Sequence, residues 1–150
     1  MDGNNRWSNK NSQNKIKSYS KGAQKLITLS EYIFKNYDVE NISAFALSNN
    51  NLKRAKTIIN ILKNILSKFL NEEDKILKLN FQVIFMGDLK FLGKDLIKKI
   101  HRIQQINNKK KQKLIIFLNY SGRKDIKLFY SNNLNAVNIK KNQTSKYLIT

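Results

Sequence analysis

The segment KLIIFLNYSGR, residues 113–123, is a run of large apolar side chains that ends in polar residues and a glycine. A short, continuous apolar run of this kind is typical of a strand buried on both faces of a parallel sheet. Two more segments have the same form, ISAFALS at 42–48 and NFQVIFMGD at 80–88, and each also ends in a polar loop. We therefore predict three buried strands, the last followed by a glycine turn.

The segments between these strands have helical periodicity. Apolar residues recur at helical spacing in residues 21–37, 52–70 and 94–106, and KDIKLFYSN at 124–132 has the character of the start of a fourth helix. Residues 8–20 are polar and weakly patterned, which predicts a loop. Apolar strands that alternate with amphipathic helices indicate an α/β fold, with a mainly parallel sheet flanked by helices.

Ligands of such sheets bind outside the carboxyl ends of the strands. We expect the polar loops at these ends to meet at one edge of the sheet and to form a binding site there. The tail at 131–150 has no convincing period, so we expect it to be irregular or disordered. The loops that define the predicted edge are Ser48 to Asn51, Gly87-Asp88 and Asn119 to Arg123.

The charge balance is strongly basic, with 29 Lys and Arg against 10 Asp and Glu and a net charge of +19. The lysines are scattered along a chain that is also rich in asparagine and isoleucine and has no proline, so compositional bias explains most of the excess. A scattered excess attracts any polyanion weakly and without specificity. Basic and aromatic residues do not interleave as they do in single-strand binders, so we expect no specific nucleic-acid partner.

The composition also excludes several classes of protein. There is no cysteine, and therefore neither a disulfide framework nor a thiolate metal site. The longest apolar runs, such as 114–118, are too short to span a bilayer. A polar motif begins at residue 2, so we expect no signal peptide and a cytoplasmic location.

Five segments of the chain, in order, resemble motifs of the cis-prenyltransferases, the undecaprenyl diphosphate synthase group. MDGNNRW at 1–7 resembles the family's MDGNGRW, and SYSKGA at 18–23 lies where the family has GHxxGA. Five ordered blocks make the resemblance specific over residues 1–126. The other three are ISAFALSNNNLKR at 42–54, FQVIFMGDLKFL at 81–92 and LIIFLNYSGRKDI at 114–126, which resemble LTLYAFSxENWxR, VRxxxIGDxxxL and LNIALNYGGRxEI.

The resemblance implies an isoprenyl transferase that condenses isopentenyl diphosphate with an allylic diphosphate of the farnesyl type to give a cis-polyprenyl diphosphate. It also implies Mg²⁺ as the cofactor and an apolar tunnel for the growing chain. The family's strand before MDGN and its C-terminal segment RxGGExRxSxFLxWQ have no match here. We therefore expect a partial cis-prenyltransferase domain at 1–130, truncated at both ends and followed by the tail at 131–150.

The resemblance assigns catalytic roles to Asp2 and Asn51. A diphosphate leaving group needs its developing charge stabilised by a metal ion and by cationic donors. Asp2, a hard oxygen ligand, would bind Mg²⁺ and help to activate the leaving diphosphate. Asn51 matches an asparagine that the family places at the proton-removal step. Without the resemblance, Asp2 would be interpreted as a helix cap or a turn former.

The first motif also supplies most of the predicted substrate-binding residues. By resemblance, Gly3, Asn4, Asn5 and Arg6 form a turn whose backbone N–H groups hold phosphate. Arg6 adds a charge-assisted donor, and Trp7 packs against this loop and the isoprenoid. The other predicted substrate-binding residues are Lys15, Tyr19, Ser48, Asn49, Asn50, Leu52 and Arg54.

Several of these positions depart from the family pattern. Lys15 stands where the family has an arginine, and it keeps the charge but loses the bidentate fork. Tyr19 replaces a histidine, Asn50 a glutamate and Leu52 a tryptophan. Asn5 replaces a glycine, and asparagine tolerates positive φ better than most residues.

Two interpretations of function stay open. The chain is a prenyltransferase by descent, a divergent or truncated copy that is impaired or that is active only with a partner chain supplying the missing segment, or it is a non-catalytic remnant or basic binding module that retains the fold. Complete family members resemble homodimers, so a homodimer is expected of a complete chain. A polyprenyl product is also compatible with association at a membrane surface.

Overall fold

The computed structural model describes residues 4–11, 14–48, 56–106 and 108–136. Its contacts divide the chain into two units, Met1–Tyr120 and Ser121–Thr150. The first unit holds a sheet with its helices, and the described part of the second is one helix. The elements are α1 (Asn4–Lys10), α2 (Lys15–Asn36), β1 (Asn41–Ser48), α3 (Lys56–Asn71), α4 (Glu73–Lys78), β2 (Gln82–Met86), a 3₁₀ turn (Leu89–Leu92), α5 (Lys94–Ile106), β3 (Lys113–Tyr120) and α6 (Gly122–Ala136).

The three described strands form one parallel sheet in the order β1-β3-β2. β3, the strand with the longest apolar run, lies in the centre and pairs with both neighbours. Its register with β1 is regular from Asn41 to Phe45 and then shifts, so that Ser48 lies opposite Tyr120. The predicted α/β fold with a parallel sheet is confirmed, and α5 has the predicted bounds.

One face of the sheet carries the core of the first unit. Leu114, Ile116 and Leu118 of β3 alternate with less buried neighbours, and Val83 and Phe85 of β2 lie on the same face. Side chains of α2, α3 and α5 pack against these residues, which excludes water from the centre of the sheet. The other members of this buried cluster are Phe34, Leu47, Leu66, Leu70, Ile76, Phe81, Leu92, Ile100 and Ile103.

Two glutamine side chains connect the helices to the backbone of the sheet. Gln112 Nε2 donates to the carbonyl oxygens of Phe34 and Val39, at 3.1 and 3.2 Å. Gln104 Oε1 accepts from the backbone N–H of Phe85 on the outer strand β2, at 3.0 Å. Buried backbone groups that lack a partner strand need such side-chain partners. These side-chain amides therefore provide hydrogen-bond partners for backbone groups at the limits of the sheet, and they fix α2 and α5 to the sheet.

The prediction of a loop at 8–20 is wrong. α1 extends to Lys10, and α2 begins at Lys15 after the cap Asn14, whose side chain accepts from the N–H of Ile16 at 2.8 Å. Ser8 and Ser18 are both buried, and α1 contacts α2. Small hydroxyl side chains allow two helices to approach closely, but in a sequence they have the same appearance as loop residues.

Other differences concern short elements and helix ends. α4 and the 3₁₀ turn are too short to show a period and were not predicted. α6 begins at Gly122, where a glycine turn was expected, and it continues to Ala136, so the first residues of the expected tail are helical. Residues 137–150 lie outside the described residues, and the domain boundary at 130 stays a prediction.

The ends of β2 and β3 meet in a contact that has no room for a side chain. Gly87 has a φ of 118°, and a Cβ atom at this position would overlap the carbonyl oxygen of Leu118. Asn119, also at positive φ (51°), donates from Nδ2 to the carbonyl oxygen of Asp88 at 3.2 Å. The carboxylate of Asp88 accepts from the N–H of Lys90 at 3.2 Å and starts the 3₁₀ turn. The polar residues after the two strands thus hold the strand ends together.

We expect Gly87→Ala to destabilise the protein strongly. Gly93→Ala is the matched control, because Gly93 also has positive φ (90°) but no atom within 4 Å of its Cβ position. Strain alone should cost Gly93→Ala about 1–3 kcal/mol. Overlap with the Leu118 carbonyl should cost Gly87→Ala at least about 2 kcal/mol more, measured by urea unfolding. Equal losses in the two variants would contradict the close contact.

Candidate functional site

The predicted meeting of polar residues at the carboxyl edge of the sheet is confirmed for the described residues. Ser48 ends β1 opposite Tyr120, and Asp88 and Asn119 are joined by their hydrogen bond. Ser48 is half-buried, and Asn119 is buried. The Asp88 carboxylate accepts from the backbone N–H of Lys90 and the Asn119 side chain donates to the backbone carbonyl of Asp88, so these two side chains stabilise the edge itself.

Many of the predicted site residues lie outside the described residues. Of the remainder, Arg6 and Lys15 are exposed, and Tyr19 is half-buried. Asn4, Asn5 and Arg6, for which the resemblance implies a phosphate-holding turn, form the first turn of helix α1. The functional roles of all these residues stay predictions. The residues outside the described part are Asp2, Gly3, Asn49, Asn50, Asn51, Leu52 and Arg54.

Helix α1 carries Arg6 and lies against the first turns of α2. Ser8 and Ser18 are 1% and 2% exposed, which places them in this contact. Trp7 is 41% exposed, and the Nζ atom of Lys21 lies 5.3 Å from the centroid of its ring. Lys21 was not among the predicted site residues. Lys21 lies within α2, and its spacing in the sequence gives no signal for a side-chain contact with another helix.

An apolar cavity of about 670 Å³ lies in the first unit, beneath α2 and α3. Its floor is the core face of the sheet, where Ala46, Phe85, Ile116 and Leu118 lie. Tyr19 marks one end of the lining, at the start of α2. The sequence could not separate these side chains from ordinary core residues, because both have the same apolar pattern. The apolar side chains of the walls are Leu26, Ile27, Leu62, Ile65, Leu66, Phe69, Ile76, Leu79, Phe91 and Leu92.

The other end of the cavity has a charged rim where α3 and α4 meet. Lys68, Glu72, Lys75 and Lys78 contribute to the lining there. Lys75 and Glu72 form an ion pair at 3.1 Å, and both side chains are largely exposed. An exposed pair of this kind adds little stability, so its main effect is to keep this end polar.

The amine of Lys110 fixes the end of α4 next to this rim. Its Nζ atom donates to the carbonyl oxygen of Leu77 at 2.7 Å and to that of Leu79. These are carbonyls at the C-terminus of a helix, where intrahelical partners are lacking. Burial lowers the pKa of Lys110 from its ordinary value.

The described residues do not by themselves form a metal site. In the described ranges, no group of three or more His, Cys, Asp or Glu side chains could hold an ion. The predicted ligand, Asp2, precedes these ranges. Without Asp2, the side chains of the described residues therefore do not offer a set of ligands that fits a metal ion. No helix formed by the described residues is both long and apolar enough to cross a membrane. The predicted location of the protein stays a prediction.

Comparison with known proteins gives the family. The family described as putative undecaprenyl diphosphate synthase matches residues 1–150, and the chain belongs to this family. Its members, the cis-prenyltransferases, are generally Mg²⁺-dependent. The chain is 32% identical over 131 residues to an isoprenyl transferase of Aquifex pyrophilus, covering 84% of this chain and 55% of that protein. It is 29% identical to dehydrodolichyl diphosphate synthase 4 of Arabidopsis thaliana, covering 84% and 44%.

The chain therefore spans about half the length of the curated relatives it matches. Among solved structures, it is similar to lavandulyl diphosphate synthase from Lavandula x intermedia, which was determined in complex with dimethylallyl diphosphate. The TM-score is 0.77 at 20% identity, over 92% of this chain and 60% of that one. At this identity the likeness shows the fold, and it agrees with the parallel sheet and helices described above.

We expect Ala46→Leu to close part of the cavity without harming the fold. The added side chain fills apolar space on the cavity floor. The free energy of unfolding should therefore stay unchanged or rise by up to about 1 kcal/mol. Binding of N-phenyl-1-naphthylamine, measured by its fluorescence, should weaken about tenfold, or about 1.4 kcal/mol. An uncharged dye is required because an anionic dye would bind the basic surface generically.

Ser43→Leu is the control for this substitution. Ser43 lies on the same strand but pairs with Ile115, so its side chain is on the opposite face of the sheet. It should leave dye binding unchanged. Equal weakening by both variants would show that the dye does not bind in the cavity.

Proposed function

We propose that this chain carries out the cis-prenyltransferase reaction, in which an allylic diphosphate is condensed with isopentenyl diphosphate. The observation that carries the proposal is the apolar cavity, whose lining begins at Tyr19 in a family motif and continues over the sheet. The substrates of the proposed reaction have an apolar tail and an anionic head. The cavity suits the tail because burial of apolar surface is favourable by about 25 cal/mol per Å².

Cationic residues of the motifs are proposed to hold the anionic head. Lys15 lies one helical turn before Tyr19, so both side chains lie on the same side of α2. Arg6, exposed on α1, and Arg54 add charge-assisted donors for diphosphate oxygens. Gly3, Asn4 and Asn5 are proposed to complete this head-group site, as the resemblance implies.

The proposed reaction breaks the bond between the allylic carbon and the diphosphate oxygen, and the leaving diphosphate keeps the electron pair. The double bond of isopentenyl diphosphate supplies the electrons of the new carbon–carbon bond, and a proton then leaves its C2 atom. Arg6, Lys15 and Arg54 would stabilise the negative charge that develops on the leaving group. Asn51 is proposed to act where the proton is removed.

Asp2 is proposed to hold Mg²⁺ together with the diphosphate oxygens, since carboxylate and phosphate oxygens are its preferred ligands. When bound, the ion supplies further positive charge to the leaving group. The allylic substrate is proposed to be of the farnesyl type. Assembly as a homodimer, or with a partner chain, is a further proposal that sedimentation of the purified chain would test.

The first test of this function is incorporation of labelled isopentenyl diphosphate into butanol-extractable product. The full chain would be assayed with farnesyl diphosphate or dimethylallyl diphosphate and Mg²⁺. We expect Asp2→Ala and Arg6→Ala to lower the rate by a factor on the order of 10² to 10³, the usual effect of removing a group that stabilises transition-state charge.

Lys10→Ala is the matched control, because it removes one exposed positive charge from the same helix as Arg6. It should leave the rate within about twofold of the unchanged chain. The absence of product from a folded chain would favour the non-catalytic alternative. Binding of farnesyl diphosphate that responds equally to all three changes, and that salt abolishes, would indicate generic attraction to a polyanion.

A further inference from the structure

Helix α1 depends on its contact with α2. It has seven residues, and a helix of this length does not persist in water without tertiary contacts. The contact contains the buried Ser8 and Ser18, which let the helices approach, and the indole of Trp7 beneath the ammonium of Lys21. Trp7 is the single tryptophan of the chain. Its neighbour Arg6 precedes it in the same helical turn.

A cation over the face of an indole is attracted by the ring's quadrupole, and tryptophan is the strongest aromatic partner for this contact. At 5.3 Å from the centroid, Lys21 Nζ is within the range in which the attraction is significant. The contact is also more specific than apolar packing, because it joins one side chain of α1 to one side chain of α2. It therefore restricts how α1 can rotate or slide on α2.

We propose that Lys21 is a positioning residue for the diphosphate site. By holding Trp7 against α2, it fixes the orientation of α1 and with it the direction in which Arg6 points. This proposal rests on the proposed function, in which Arg6 binds the diphosphate head. Lys21 acts through Trp7, so its effect on ligand binding disappears when the indole is absent.

The contact itself can be tested without any substrate. Because Trp7 is the single tryptophan, quenching of the intrinsic fluorescence by acrylamide, a neutral quencher, reports its exposure directly. Lys21→Met keeps the aliphatic stem but removes the cation, and it should increase the quenching constant. Lys21→Arg should restore the original value, since arginine also forms this contact. Lys25→Met, one turn further along α2, removes an equal charge and should change nothing.

Binding of farnesyl diphosphate in the presence of Mg²⁺, measured by isothermal titration calorimetry, tests the positioning role. Lys21→Met should weaken binding by about two- to fivefold, the fold-change that corresponds to one exposed cation–π contact. Lys21→Arg should recover it, and Lys25→Met should stay close to the unchanged chain. A loss in Lys21→Met, with recovery in Lys21→Arg and no effect of Lys25→Met, would tie the affinity to the cation beside Trp7 and not to the net charge of α2.

A double-mutant cycle separates a positioning role from direct contact with the ligand. If Lys21 acts through Trp7, then Trp7→Leu combined with Lys21→Met should bind as weakly as Trp7→Leu alone. Additive losses would show that Lys21 contacts the diphosphate itself and would overturn the proposal. Unchanged quenching and binding in Lys21→Met would overturn it as well. If the original chain does not bind farnesyl diphosphate, the proposed function fails and the positioning role with it, although the quenching result still reports on the contact.

Discussion

The pairing of β3 with a parallel neighbour on each side is the constraint on which the first unit depends. Parallel strands need long connections, and here those connections are the helices that cover the core face of the sheet. The chain then secures the ends of the strands with small polar groups. Gly87 and Asn119 close the carboxyl end, where the motif residues lie, and Gln112 closes the amino end. These contacts fix the ends of the described strands relative to one another.

The cavity follows from the same arrangement. α2 and α3 lie over the sheet, but the residues between them, such as Ala46 on β1, are too small to fill the space. An apolar cleft of about 670 Å³ beside family motifs has the size and lining that are typical of a ligand site. This is why the cavity, more than the basic charge of the chain, supports the proposed function.

The sequence predicted the larger elements because their periodicity is strong. The three strands and α5 were found from apolar runs and helical spacing, and the parallel sheet followed from their alternation. α1 was missed because it is short and polar and is stabilised by contacts of Ser8 and Trp7 with α2 rather than by an apolar face. The cavity lining could not be predicted, since an apolar side chain beside a space has the same pattern as one in a packed core. Lys21 was missed because a side-chain contact between two helices leaves no spacing signal.

The polar rim at the far end of the cavity limits how much hydrocarbon the protein can keep from water. A lipid tail that fills the space between Tyr19 and Ile76 would next meet Lys75, Lys78 and Glu72. Every further unit of such a tail would be hydrated, at a cost of about 25 cal/mol per Å² of apolar surface. In the proposed reaction, a long product would thus become progressively less stable in this cavity than in a bilayer, and its growth would favour transfer to a lipid phase.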